Sequence, residues 1–334
     1  MANKDTITKE YMQDNATFAD IFNYYLYKGK KVINPDSLTQ LDTTTIVLPY
    51  GKDGSTVPVQ KYRDVLKSAT VKQDGKVAYM LLGIENQSQM HYAMPPRTML
   101  YDSMQYITQV AAIDKAHKKD GDKAKSDEYL SGFHANDKIL PVITLTVYFG
   151  ADEWTAPTDL HSMLDADKDL LKYIDNYHLH LIQPATMTEE DFDKLESELG
   201  LVFKFIKNSK NKKELCEIVE NDNKYKKVSK RTADLINTIT NSNLNFSQDR
   251  EGDVDMCQAI RDLRNEAIAE GEIKGEKKGI EKGIEKGIEK GKREEALKIV
   301  KNLIALGSIS FEEIAKVTGL TLEEVKSLAN ENTI

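Results

Sequence analysis

The sequence predicts a mixed α/β domain that runs into a long helical C-terminal tail. Three features carry that expectation. An Asp74-Gly75 pair separates two apolar runs, the strongest short-range hairpin signal. Residues Ile139 to Phe149 (ILPVITLTVYF) are almost wholly apolar and β-branched, as a strand covered on both faces must be. From Gly271 to Gly291 a glycine stands at every fourth position of a highly charged segment.

Each element follows from local pattern. Asn15 to Tyr27 reads as an amphipathic helix, because Phe18, Ile21, Phe22 and Tyr25 recur three and four residues apart. Lys28-Gly29-Lys30 ends it. Leu41 to Tyr50 is rich in Thr, Ile and Val and reads as extended, with a turn over Gly51 to Ser55. Arg63 to Gln73 and Lys76 to Gln87 are the hairpin strands. After Pro95-Pro96, a helix is expected from Arg97 to about Lys118, with Met99, Met104, Ile107 and Val110 on its apolar positions. Lys119 to Ser126 reads as an exposed loop, His178 to Ile182 as a short strand, and Thr188 to about Asn241 as helical. Residues 1–250 therefore form one α/β domain.

The tail reads as two further parts. In residues 251–293 the glycines 271, 275, 279, 283, 287 and 291 each cost a helix up to ~1 kcal/mol relative to alanine. A spacing of four drifts around a helix of about 3.6 residues per turn, so the glycines wrap the surface. A long solvated helix or spacer is expected there. Residues 294–334 read as a small helical module. A short amphipathic helix spans Glu294 to Leu306, and Ser310-Phe311-Glu312-Glu313 and Thr321-Leu322-Glu323-Glu324 are capping-box sequences. The pair resembles a helix-turn-helix. A DNA reader would start its second helix with cations, whereas this one starts with Glu323-Glu324, which favours contact with protein or with a second copy of the chain.

Composition narrows the classes. Apolar residues make up 40%, enough for a sizeable core, and no run of about 18 apolar residues offers a membrane span. Met1 to Asp14 is polar and carries no signal segment. Two cysteines and six scattered histidines suggest neither a disulfide framework nor a spaced zinc site. A cytoplasmic protein is expected. The formal charge of −8 argues against a nonspecific nucleic-acid binder. Locally, however, residues 201–231 hold ten Lys/Arg against four Asp/Glu, which suits either a DNA-contacting face or a solvated helical surface.

The hairpin carries the sharpest chemistry. With a two-residue turn, facing residue numbers sum to 149, and Asp64 falls opposite Glu85. Carboxylates about 5 Å apart repel by ~3 kcal/mol at an effective dielectric of about 20. A divalent cation would reverse the sign of that interaction. Gln87 projects from the same strand face as Glu85. On geometry alone, two solvated acids at the open end of the hairpin fit equally well. Arg97, Tyr101 and Gln105 follow at intervals of four along one helix face, which suits either contact with a phosphate or a helix surface partly packed on the sheet.

A resemblance adds to this. Tyr62-Arg63-Asp64-Val65-Leu66 followed by Leu82-Gly83-Ile84-Glu85-Asn86-Gln87-Ser88 resembles the motif core of the PD-(D/E)XK nuclease superfamily. More narrowly, it is similar to the recombination-promoting nuclease (Rpn)/putative transposase family. Phe18 to Asn23, Pro95 to Tyr101, Pro141 to Leu145 and the glycine repeat are similar to that family too. The resemblance implies a restriction-endonuclease-like mixed sheet flanked by helices, cleaving DNA with Mg²⁺, or Mn²⁺ in its place. Asp64 and Glu85 would be its metal ligands, with the Asn86 carbonyl and Asp20 as further candidates. Gln87 stands where the family pattern has lysine. Recombination or mobile-element biology is the implied context. The alternative is a nuclease-like interaction module that acts through its tail.

Overall fold

The structure, a computed structural model, describes residues 4–41, 44–47, 59–62, 64–73, 76–121, 127–128, 131–246 and 252–331. Two helices come first, α1 (Lys4–Gln13) and α2 (Asn15–Tyr27). Asp14 lies between them, and its Oδ2 accepts the Thr17 N–H at 2.8 Å, capping α2. The expected apolar stripe of α2 buries Phe18, Ile21 and Phe22 completely. The helix stops at Lys28, whose backbone is left-handed.

Three short strands follow: β1 (Leu38–Gln40), β2 (Thr44–Val47) and β3 (Val59–Tyr62). The expected turn at Gly51 to Ser55 lies outside the described residues, as do Arg63, Asp74 and Gly75. The hairpin strands are β4 (Val65–Gln73) and β5 (Lys76–Gln87). Their register sets Gln73 opposite Lys76 and Val65 opposite Ile84, as a two-residue turn requires. β4 begins only at Val65, so Asp64 sits in a bend just before the strand.

The remaining elements of the first unit are mostly helical. α3 (Met94–Asp120) opens with Pro95 and Pro96 in its first turn and ends at left-handed Gly121. β6 (Val142–Tyr148) is shorter than the expected Ile139 to Phe149, because Pro141 has no N–H to give a ladder. After α4 (Lys168–Leu171), β7 (His180–Ile182) joins β6 in parallel. α5 (Glu189–Asp193), α6 (Leu199–Asn208) and α7 (Lys212–Asn221) come next, followed by β8 (Val228–Ser229), α8 (Lys230–Thr240) and β9 (Asp253–Val254).

Among the described residues the main sheet runs β1-β4-β5-β6-β7, with β5 paired antiparallel to β4 and parallel to β6. Strand alternation sends Val65, Leu82, Ile84, Leu145 and Val147 into one large core with Phe18, Phe22, Val202, Phe203 and Phe205. α3 packs against β6, with Asp102 bridging helix and sheet. Its two oxygens accept Thr144 Oγ1 and Tyr177 Oη, each at 2.6 Å.

Lys67 brings a charge into the apolar core. Lys67 on β4 is 1% exposed, stands over the Phe18 ring, and donates to the Gln13 carbonyl at 2.6 Å and to Asn15 Oδ1. It thereby caps the C-terminus of α1 and ties the α1–α2 junction to the sheet.

The cationic segment 201–231 is largely neutralised from within. Lys204 pairs with Glu189 and Asp222, Lys210 with Asp152, Lys224 with Asp193, Lys227 with Asp253, Lys230 with Asp234, and Arg231 with Asp14. Glu189, Asp152, Asp193, Asp253 and Asp14 come from outside the segment, which local charge counting does not see.

The chain divides into two compact units, Met1–Arg261 and Asp262–Ile334. α9 (Met256–Leu306) is one continuous helix, so the separate helix expected over Glu294 to Leu306 is only its last part. Lys292 to Glu295 are good helix formers, and nothing there breaks the backbone ladder. α10 (Phe311–Thr318) and α11 (Leu322–Glu331) both start with the expected capping boxes, at Ser310 and Thr321. Val300, Ile314 and Val325 form the core of this second unit. Among the described residues no helix is long and apolar enough to cross a membrane.

Two consequences are measurable. Lys67→Met should strand the Gln13 and Asn15 acceptors and cost ~1–3 kcal/mol, read as a lower urea midpoint. The tail glycines meet nothing within 4 Å of an added Cβ. The double substitution Gly283→Ala, Gly287→Ala should therefore add up to ~1 kcal/mol of helix stability per site, seen as a later loss of ellipticity at 222 nm on heating.

Candidate functional site

The C-terminal end of β5 meets the first turns of α1 and α3 around a cavity of about 490 Å³. Lys4 and Asp5 line it from α1, Asp64 from the bend before β4, Asn86 and Gln87 from β5, and Arg97 from α3. Strand alternation decides the chemistry here. Ile84 goes to the large core, so Glu85 must face the α3 side, where it is fully buried.

Glu85 and Arg97 form a charge pair, with Arg97 Nη2 3.4 Å from Glu85 Oε2. The Arg97 side chain is 34% exposed and that of Glu85 0%, so the guanidinium closes the solvent side of a buried carboxylate. Arg97 Nε also donates to Tyr101 Oη at 3.2 Å. Burial lowers the Arg97 pKa, but the Glu85 charge, the Tyr101 hydrogen bond and the Asp64 charge more than offset this, and the group stays cationic. Burial first, and then the Glu85 charge, push the Tyr101 phenol up, so it stays protonated.

Asp64 is held differently. Its Oδ2 accepts the backbone N–H of Asn86 at 2.8 Å, which pins the bend to the end of β5. Burial raises the Asp64 pKa above the usual carboxylate value. The Asn86 N–H and the charges of Lys9 and Arg97 pull the other way without cancelling it, and Asp5 adds to the rise. Arg97 therefore acts on both carboxylates.

Asn86 and Gln87 complete the cluster. Asn86 is 6% exposed, and both polar atoms of its side chain lack a hydrogen-bond partner among the described residues. Leaving a buried amide unpaired costs on the order of 1–3 kcal/mol, a cost that a polar ligand in this cavity would relieve. The Gln87 amide folds back and donates to the Asn86 carbonyl at 2.9 Å.

Of the residues singled out from sequence, Asp64, Glu85, Asn86, Gln87, Arg97 and Tyr101 come together. Asp20 does not join them. Its oxygens accept Glu196 N at 3.1 Å, Ser197 N at 2.8 Å and Ser197 Oγ, and it lines a different cavity with those residues. That role is to hold the entry to α6, which helix periodicity alone could not reveal. Gln105, one turn beyond Tyr101 on α3, is not among the residues lining the Asp64 cavity.

α1 is an element that the polar composition of Met1 to Asp14 does not lead one to expect. The helix was legible in Ile7, Thr8, Tyr11 and Met12, which recur at helical spacing, and Thr8, Tyr11 and Met12 are buried. It brings Lys4, Asp5 and Lys9 to the site. The Ser88 hydroxyl donates to Asp5 Oδ1 at 3.0 Å, tying α1 to the chain just beyond β5.

The sequence profile of a family described as "Putative transposase, YhgA-like" matches residues 3–235. The chain belongs to this family. No match is found among curated proteins or solved structures. The YhgA-like match runs from α1 into α8 and includes every residue of the site, whereas α9 to α11 lie beyond it. Membership places the chain in a transposase-like, mobile-element-related class.

The raised Asp64 pKa sets a pH dependence. An acid whose folded pKa exceeds its unfolded value weakens the fold as pH rises from the ordinary carboxylate range of about 3.9 through that raised value. Asp64→Asn keeps an acceptor for the Asn86 N–H and removes the charge. In EDTA at neutral pH this variant should melt above the wild type. The gap should close at acid pH, as thermal scans across pH would show.

Proposed function

We propose that this YhgA-like protein is a metal-dependent DNA endonuclease that hydrolyses phosphodiester bonds in recombination or mobile-element movement. The observation that carries the reading is the gathering of a buried carboxylate, Glu85, and a half-buried one, Asp64, with the Arg97 cation beside one cavity. The carboxylates support the PD-(D/E)XK reading of the motif, and membership of a transposase-like family supports DNA as the substrate.

The donor set fits a hard divalent cation. Asp64, Glu85 and the Asn86 carbonyl would hold Mg²⁺ or Mn²⁺, since carboxylate and carbonyl oxygens suit these ions better than zinc. When bound, the ion supplies Lewis-acid polarisation of the scissile phosphate.

The chain's own residues do the rest. Arg97 is partly exposed and can exchange Glu85 for an incoming phosphate oxygen, which anchors the strand and uncovers the carboxylate. Gln87 offers an amide to orient the attacking water. It brings no positive charge, so Lys9 on α1 supplies one beside Asp64. In the reaction the water oxygen bonds to phosphorus and gives up a proton, the ester P–O bond breaks, and the leaving oxygen takes up a proton.

A second reading has its own support. Glu85 is fully buried behind Arg97, and Gln87 is engaged with the Asn86 carbonyl, an arrangement suited to a catalytically silent module that binds through its helical tail.

Nicking of supercoiled plasmid distinguishes the two. With Mg²⁺ or Mn²⁺ the wild type should nick. EDTA, Asp64→Ala and Glu85→Gln should each abolish nicking, a loss of ~100-fold or more. Lys9→Ala should slow it by roughly 10–100-fold. If folded wild type leaves the plasmid intact, the interaction module is the better reading. Equal nicking by wild type and Asp64→Ala would remove Asp64 from the site.

A further inference from the structure

A second cluster of ligand-type side chains lies far from Asp64, on the other end of α3. His117 in the last turn of α3 meets His134 and Asp137 from the segment that leads toward β6. One ligand atom from each residue can be chosen so that all lie within 4.8 Å of one another. His117 Nε2 is 2.9 Å from Asp137 Oδ2, and the two imidazoles stack with centroids 3.8 Å apart and 17° between planes.

The cluster is built, not incidental. The His134 N–H donates to Asp137 Oδ2 at 2.6 Å, and the Asp137 N–H donates to the His134 carbonyl at 2.9 Å, closing a small turn around both residues. The Ala135 N–H donates to Glu128 Oε1 at 2.9 Å. Gly132 has φ +62°, and a Cβ there would come within 2.0 Å of the Asp114 carboxylate, so α3 and the loop approach one turn from His117 as closely as a glycine allows.

We propose that His117, His134 and Asp137 form a binding site for a zinc-class transition-metal ion, which locks this loop onto the C-terminal end of α3. The donors decide the class. Two imidazoles and one carboxylate suit Zn²⁺, Co²⁺ or Ni²⁺, whereas the oxygen set at Asp64 suits Mg²⁺. Tetrahedral ligands at about 2.1 Å from an ion lie ~3.4 Å apart, so small side-chain rotations close the triad. The ion takes the place of the proton between His117 and Asp137. The side chains of His117 and Asp137 are 22% and 18% exposed, which leaves room for water as a fourth ligand. His117 lies twenty residues beyond Arg97 on one helix, about 30 Å at ~1.5 Å per residue. The ion therefore acts on the loop and not on the carboxylate chemistry, and the inference is independent of the proposed nuclease activity.

Co²⁺ titration of the full-length chain, with any affinity tag removed, tests this. The expected result is one Co²⁺ per chain with visible absorption bands of a low-coordinate site, displaced by equimolar Zn²⁺. His134→Gln and His117→Ala should lose the bands, while the double variant Asp64→Asn, Glu85→Gln keeps them. Far-UV circular dichroism of His134→Gln, a loop position, checks that the variant is folded. Zn²⁺ should also raise the melting temperature of the wild type and leave that of His134→Gln unchanged. The absence of Co²⁺ bands in the wild type, bands that survive in His134→Gln, or bands lost only in the Asp64 and Glu85 variant would each overturn the proposal.

Discussion

The pairing of β5 on both of its edges is the constraint on which the rest depends. β4 holds it antiparallel and β6 holds it parallel, so its register cannot slip by one residue without exchanging its two faces. One face must deliver Leu82 and Ile84 to the large core. The other then carries Glu85 under α3, whether or not a carboxylate is comfortable there. Hydrophobic burial on one side thus sets the position of the acid on the other.

A fully buried carboxylate needs compensation, and the fold supplies it from another element. α3 is fixed to β6 through Asp102, Thr144 and Tyr177, and this brings Arg97 in its first turn to Glu85. Across the cavity, Lys67 caps α1 from within the core and so steadies the helix that carries Lys9 and Asp5. The site is therefore assembled by three separate anchors: a strand register, a buried aspartate and a buried lysine. The expected repulsion between Asp64 and Glu85 is met by a guanidinium that acts on both. A metal ion entering the cavity would compete with Arg97 for the same two charges.

The two units answer to different physics. The first owes its stability to a large mixed core and includes the whole of the YhgA-like match. The second has only a small apolar cluster around Val300, Ile314 and Val325, and relies on capping and helix propensity. Its six repeated glycines give away propensity along an exposed surface, where no neighbour requires a missing side chain.

Much of this was legible in the residues alone. The Asp-Gly pair between two apolar runs and the β-branched run identified β4, β5 and β6, because these signals are local. The register that aligns the Asp64 end of β4 with Glu85 followed from the same turn, and the capping boxes of α10 and α11 followed from two side chains three residues apart. What the sequence could not reveal was which distant groups meet. That Arg97 faces Glu85, that Lys9 stands near Asp64, that Asp20 holds Ser197, that the cations of 201–231 are paired internally and that His117 meets His134 and Asp137 all depend on long-range packing. Propensity and periodicity describe how a chain relates to itself over a few residues. Charge compensation and ligand geometry arise between elements, and only the tertiary structure decides them.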